Sequence, residues 1–318
     1  MTVSPDDNGV TMRPITGPEE LGLFNTMPYV LNDELADDLA EGRRRPEWMW
    51  VALRGDHLLA RVAWWCRHAG DPPMVLDVLD LDDTASAPRR VDVGERLLRT
   101  AMATALPAGA APPGYGRFIP PGWRDRPPVR QAVEDRMAVA ERTGARFFVE
   151  RLRLEWRQGS PVPAPSKRLV FRPVQAAGEL LDLMVGVLDG TLDAHGRDDL
   201  TRMSAREAAT LHYEGEFARY TSPREWWQIA SLPDGDPVGF VIPARNAYNP
   251  IIAYLGVLPQ HRGHGYSNDI LGAGTRILAG QGVSRIRAST DLGNEPMAAA
   301  FARAGYHNFE RQIDMVWR

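Results

Sequence analysis

Apolar residues recur with a period of two in a pair of stretches that carry the same signature. In GARFFVERLRLEWR, Gly144 to Arg157, they are Leu152, Leu154 and Trp156; in GYHNFERQIDMVWR, Gly305 to Arg318, they are Ile313, Met315 and Trp317. That period sets one face of a strand against a core. Two further matches come in the same order. Met12-Arg13-Pro14-Ile15 parallels Phe171-Arg172-Pro173-Val174, and Glu47-Trp48-Met49-Trp50-Val51-Ala52 parallels Glu225-Trp226-Trp227-Gln228-Ile229-Ala230. Three matches in one order point to an internal repeat.

Between the halves, Gln158 to Lys167 reads QGSPVPAPSK. Its prolines at 161, 163 and 165 remove amide donors and force extended backbone, which suits neither helix nor central strand. The expected organisation is a first domain over 1–157, a proline-rich linker over 158–167 and a second domain over 168–318. In the second half the pattern predicts a strand at 169–173 and helices at 176–188 and 204–217. Strands at 226–232, 237–243 and 251–257 follow, then a helix at 267–280, a strand at 285–290, a helix at 296–304 and the closing strand. Antiparallel strands followed by strand–helix–strand crossovers are a mixed α/β (α+β) class.

Composition narrows the partners. The 318 residues are 44% hydrophobic and 25% charged with a formal charge of −4, an ordinary globular balance. Without a basic excess, neither nucleic acid nor an anionic membrane is an expected partner. The acidic start, Met1 to Asp7, lacks the features of a secretion signal, and no apolar run is long enough to span a bilayer, so a cytoplasmic location is expected. A single cysteine, Cys66, excludes an intrachain disulfide and a cysteine-rich metal site. No metal is expected.

Candidate chemistry sits in Ile251 to Ile270, IIAYLGVLPQHRGHGYSNDI. A strand runs into Gly263 and Gly265, and Ser267 and Asn268 are suited to start a helix. Uncapped amides at a helix start attract anions, and Arg262 adds a positive charge, which predicts a phosphate or pyrophosphate cradle. A dinucleotide fingerprint would need a third glycine where Asn268 stands, and no Gly-Lys-Ser/Thr follows for a nucleotide-triphosphate loop.

Arg262-Gly263-His264-Gly265-Tyr266-Ser267, after Val257-Leu258-Pro259, resembles the acyl-CoA motif of the GCN5-related N-acetyltransferases (GNAT), Gln/Arg-x-x-Gly-x-Gly/Ala, departing only at Ser267. Downstream, Asn294-Glu295-Pro296-Met297, Phe301 and Gly305-Tyr306 are similar to the family's second signature. The resemblance implies two tandem GNAT-like domains, each a mostly antiparallel sheet flanked by helices with a splayed parallel strand pair. It also implies acetyl-CoA or another acyl-CoA as cosubstrate, and transfer of the acyl group to a small-molecule amine by direct attack. Backbone amides from Arg262 through Gly263, His264, Gly265 and Tyr266 to Ser267 would hold the pyrophosphate. Backbone near Val257 would hold the pantetheine arm, and Asn294 and Phe301 would flank the thiol end.

Two departures affect the chemistry. Phe301 stands where many members carry a tyrosine acid, and the glutamate base of the preceding strand is absent. Asp291, at a strand end, is the first candidate for that base, a turn carboxylate being its other reading; Tyr254, near the missing glutamate, is the second, against a packed strand aromatic. His195, His212 and Glu216 fall in the region that borders the acceptor pocket in the family. A non-catalytic acyl-CoA-binding protein is the alternative function, and a monomer or homodimer the expected assembly.

The first half lacks the motif. Alignment of Leu97-Leu98 with Ile270-Leu271 sets Arg89 to Gly94 against Arg262 to Ser267, with Arg90 and Asp92 at the glycine positions. Seven prolines between Pro107 and Pro128 predict a long irregular loop. The first domain therefore reads as a degenerate copy that keeps the scaffold and has lost the cofactor site.

Overall fold

The computed structural model describes residues 9–317. The chain divides into two compact units, Met1–Glu150 with Gln312–Arg318, and Arg151–Arg311.

Both halves follow one element order. The first runs β1 (Thr11–Pro14), α1 (Leu21–Phe24), α2 (Leu35–Ala40), β2 (Met49–Arg54), β3 (His57–Trp65), β4 (Val75–Leu81), α3 (Ala87–Ala105), β5 (Gly114–Ile119), α4 (Pro127–Arg142) and β6 (Ala145–Arg157). The second runs β7 (Val170–Pro173), α5 (Ala177–Leu188), α6 (Ala194–Asp199), α7 (Ala205–Gly215), β8 (Gln228–Ser231), β9 (Pro237–Arg245), β10 (Pro250–Val257), α8 (Tyr266–Ala279), β11 (Arg285–Asp291), α9 (Glu295–Arg303) and β12 (His307–Trp317). The extra element, α6, has no apolar periodicity in the sequence. The segment from Pro107 to Pro128 is not one loop, because β5 lies within it and buries Tyr115 and Ile119.

The repeat extends to side-chain bonds. Arg13 grips Glu20 through two bonds of 2.7 and 2.6 Å, and Arg172 bonds Glu179 at 2.8 Å, seven residues apart in each case. Each carboxylate also accepts a backbone amide, from Thr16 or Ala176. The arginine hydrogen bond comes first among the forces that hold both carboxyls at about 2.

Neighbouring strands are antiparallel from β1 to β4 and from β7 to β10, whereas β4/β5 and β10/β11 are parallel. The closing strands change units midway. β6 enters the second unit at Arg151 and pairs antiparallel with β11, from Arg157↔Arg285 to Arg151↔Asp291. Residues 312–317 of β12 complete the first unit next to β5. Accordingly Leu152, Leu154 and Trp156 join the core formed with Ile270, Leu271 and Phe301, and Ile313, Met315 and Trp317 join that of Trp50, Leu97 and Leu98. Alternation says that a strand has one buried face and not which core receives it.

The proline-rich segment is tied to the second unit. Arg276 of α8 donates to the carbonyls of Pro163 (3.0 Å) and Ala164 (2.8 Å), and the Trp156 indole donates to Pro161 at 3.0 Å.

Candidate active site

Pro243 in β9 has no amide to give β10. Ile252 pairs with Pro243 and Tyr254 with Ile242, so Ala253 is an extra residue on β10, a bulge that bends the strand. Against β11, β10 registers at Ile251↔Arg287 and the two strands part beyond it. Gly256 lets α5 close over β10: a Cβ there would stand 2.7 Å from Val187 Cγ1. A cavity of about 490 Å³ fills the wedge between the strands.

One end of the cavity is the glycine turn. Gly263 and Gly265 have φ of 81° and 76°, the left-handed region that side chains disfavour. A Cβ at Gly263 would meet nothing within 4 Å, so glycine is required there by the backbone and not by crowding. No side chain caps the start of α8. A helix start without a side-chain cap attracts anions, and this one lies on the cavity wall. Gly263, Gly265, Tyr266 and Ser267 line this end, and Val257 and Arg262 continue the wall.

Arg262 does not offer its charge to a phosphate as the sequence implied. Its guanidinium donates to the carbonyls of Val257 (3.1 Å), Val187 (2.9 Å), Asp189 (2.6 Å) and Gly190 (3.2 Å). These include carbonyls at the end of α5 that have no partner within the helix. Arg262→Met should cost about 2–4 kcal/mol, since it leaves several such carbonyls unsatisfied, and a thermal melt would register the loss. His264 is exposed, its ring stacked on Tyr266 at 5.8 Å, and it is not part of the cavity wall. Arg168 braces the turn by donating to the His264 carbonyl at 2.9 Å, with its guanidinium 4.8 Å from the Tyr266 ring.

Asn294 and Phe301 line the cavity. Asn294 is also the N-cap of α9, accepting from the Met297 amide at 3.4 Å. Phe301 is buried, edge-on to Tyr306 at 5.1 Å. Tyr254 lines the cavity and packs on Phe217 (5.8 Å), Phe240 (5.3 Å) and His212 (6.1 Å). Burial, helped by the Asp193 charge, pushes its hydroxyl well above the ordinary range.

Asp291 lies behind the wall and not on it: it is 3% exposed and does not line the cavity. Its Oδ2 accepts the Ala194 amide at 2.6 Å, and Arg151 Nε stands 3.0 Å from Oδ1. Burial first, and then the charge of Asp193, raise its pKa. The carboxylate on the wall is Asp193, the N-cap of α6, which accepts from Gly196 at 2.8 Å. Arg151 also lines the cavity. Neither was legible as a site residue: α6 was not expected, and Arg151 lies on a strand that the sequence assigns to the first domain. Glu216 bonds the Tyr220 hydroxyl.

The first unit has the same wedge and fills it. β4 and β5 register at Val75↔Gly114 and Leu76↔Tyr115 and then part. Asp80 is buried there among Arg61 (2.9 Å), Arg117 (2.9 Å) and Arg136 (3.4 Å). Arg117 also donates to the Leu79 carbonyl at 2.9 Å, and Arg136 to that of Leu81 at 3.4 Å. The connection to α3 is residues 82–86. Arg90 and Asp92 are therefore helix residues and not turn residues, Arg90 bonding Asp135 at 2.7 Å and Asp92 pairing with Arg142 at 2.6 Å. Apolar pairs recur on every turn of a buried helix, so the Leu97-Leu98 pair could not set the register.

Among the described residues no helix is long and apolar enough to cross a membrane. Residues 197–306 match the model of the acetyltransferase (GNAT) family. No curated protein matches the sequence significantly. A GCN5-related N-acetyltransferase from Sphaerobacter thermophilus is similar in structure with a TM-score of 0.59 at 16% identity, over 97% of this chain and 95% of that one. A tandem GNAT protein from the clavulanic acid biosynthesis pathway, solved without AcCoA, is similar with a TM-score of 0.51 at 16% identity, over 96% and 97%. At these identities the likeness is one of fold. Residues 197–306 therefore belong to the acetyltransferase (GNAT) family, and the chain as a whole has the tandem fold of GNAT proteins.

Proposed function

We propose that the protein is an acyl-CoA-dependent N-acyltransferase, with acetyl-CoA the first cosubstrate to test and a small-molecule amine as acceptor. The observation that carries this reading is the cavity between β10 and β11, which starts at the uncapped amides of α8. A diphosphate would meet the amides of 263–267, the pantetheine arm would follow β10, and the thioester would lie near Tyr254 and Phe301. Only the second unit is assigned this role. In the first, the Asp80 cluster takes the equivalent space, which supports reading it as a degenerate copy. We place the protein in the cytoplasm as a monomer or homodimer acting on a small-molecule acceptor, and its formal charge of −4 gives no basic excess to attract nucleic acid or an anionic membrane.

In the transfer, the amine nitrogen forms a bond to the thioester carbon, the carbon–sulfur bond breaks, and sulfur leaves with the electron pair. The nitrogen loses one proton and the sulfur gains one, giving an amide and free coenzyme A. Tyr254 lines the cavity and keeps its proton, so it is assigned to hydrogen-bond the departing sulfur and pass on its proton as negative charge builds there, and it is unsuited to act as a base. Asp193, on the wall, is placed to take the ammonium proton, and Asp291 supports it from behind.

The test is release of free thiol from acetyl-CoA with a panel of primary amines. Turnover with at least one amine is expected. Coenzyme A binding without turnover on any would replace this reading with the non-catalytic binder that Phe301 also fits. Tyr254→Phe should lower kcat about 10- to 100-fold at unchanged acetyl-CoA affinity, as expected for loss of a proton donor.

A further inference from the structure

We propose that Arg151, brought to the second unit by the closing strand of the first repeat, is the positioning residue of the acceptor end. This rests on the acyl-transfer reading above. Arg151 and Asp291 are direct cross-strand partners on β6 and β11, so the reach between them is set by the ladder. Arg151 Nε is 3.0 Å from Asp291 Oδ1, and Nη2 is 3.7 Å from Asp193 Oδ2. One guanidinium thus stands between two carboxylates that would otherwise face each other with like charge.

What those carboxylates hold is α6. This helix has six residues, and Ala194 is its buried one. Leu192 and Leu200 on either side of it are 48% and 37% exposed. So little apolar burial cannot fix a helix of that length by itself. Its start is secured by the Ala194 amide on Asp291 and by the Asp193 cap on Gly196. The adjoining segment from Gly190 to Asp193 forms the cavity wall. Without Arg151, Asp291 would be a buried charge next to Asp193 with only His195 to offset it, and the wall at Asp193 would lose its anchor. The glycine turn is held by Arg168 and by Arg262. The bonds of Arg262 to Val187 and Asp189 tie the turn to the end of α5, and it meets the wall segment only at the Gly190 carbonyl, not at Asp193 or α6. Acyl-CoA binding should therefore be spared.

The experiment uses the full chain with Arg151→Gln and Arg151→Lys. Hydrogen exchange of peptides covering 190–199 should speed up at least tenfold in Arg151→Gln and recover in good part in Arg151→Lys. By titration calorimetry the Kd for acetyl-CoA should stay within twofold in both. With the best acceptor among benzylamine, tyramine, glucosamine and spermidine, Arg151→Gln should raise the amine KM about tenfold and leave that for acetyl-CoA unchanged. Wild-type exchange at 190–199 in Arg151→Gln, or weakened acetyl-CoA binding with an unchanged amine KM, would overturn the assignment. If the wild type acylates none of the four amines while 190–199 still loosens, the transfer reading is what fails for that set, and the hold of Arg151 on the wall stands.

Discussion

Gly263→Asp should weaken coenzyme A binding about 100-fold, while Gly263→Asn should weaken it only a few-fold. The pair isolates charge from conformation. Gly263 has φ of 81°, a region that asparagine and aspartate both enter more readily than other residues. A Cβ there meets nothing within 4 Å, so neither side chain crowds the fold. The variants differ by one negative charge beside the expected diphosphate. At about 5 Å and an effective dielectric near 20, like charges repel by about 3 kcal/mol, which screening at this exposed turn reduces toward 2. Titration calorimetry with coenzyme A reads the difference directly. Equal affinities for Asp and Asn would mean that no anion sits on the turn, and the acyl-CoA reading would fall with it.

Asp80→Asn should destabilise the protein by about 3–5 kcal/mol, because it leaves Arg61, Arg117 and Arg136 buried around a neutral group. In a thermal melt that is a fall of about 10 °C. The loss should also depend on pH. Burial alone would raise the Asp80 carboxyl, but the charges of Arg117, Arg61 and Arg136 reverse this and hold it at about 2. An unfolded aspartate titrates near 3.9. The folded value is the lower one, so the stabilisation is complete above the unfolded pKa and is lost as pH falls through about 2. The gap in melting temperature between wild type and Asp80→Asn should hold from pH 7 to pH 5 and shrink below pH 4. A constant gap down to pH 2 would show that the asparagine acts through packing and not through charge.

Much of the fold was legible because its signals are local. Alternation marked the closing strands, the Arg-Pro openings marked the repeat, and the boundaries expected in the second half fall within a few residues of the observed ones. The glycine turn was legible for the same reason: a left-handed residue before a helix leaves a short, recognisable pattern. Two inferences failed because they needed distance information. Arg262 looked like a free charge, yet it is spent on carbonyls at the end of α5, more than seventy residues away in the chain. Asp291 looked like a cleft residue, yet its neighbours come from α6 and β6.

By itself the sequence determined the two-fold repetition of elements, the place of the glycine turn in the second copy, and the absence of that turn from the first. Period and backbone preference are properties of neighbouring residues, and neighbours are what a sequence records. Only the tertiary structure decided which core each closing strand completes, that the Asp80 cluster fills the first wedge, and that Arg151 lines the second. Those outcomes depend on which buried faces and charges meet across the chain, where many pairings satisfy the same pattern and packing selects one.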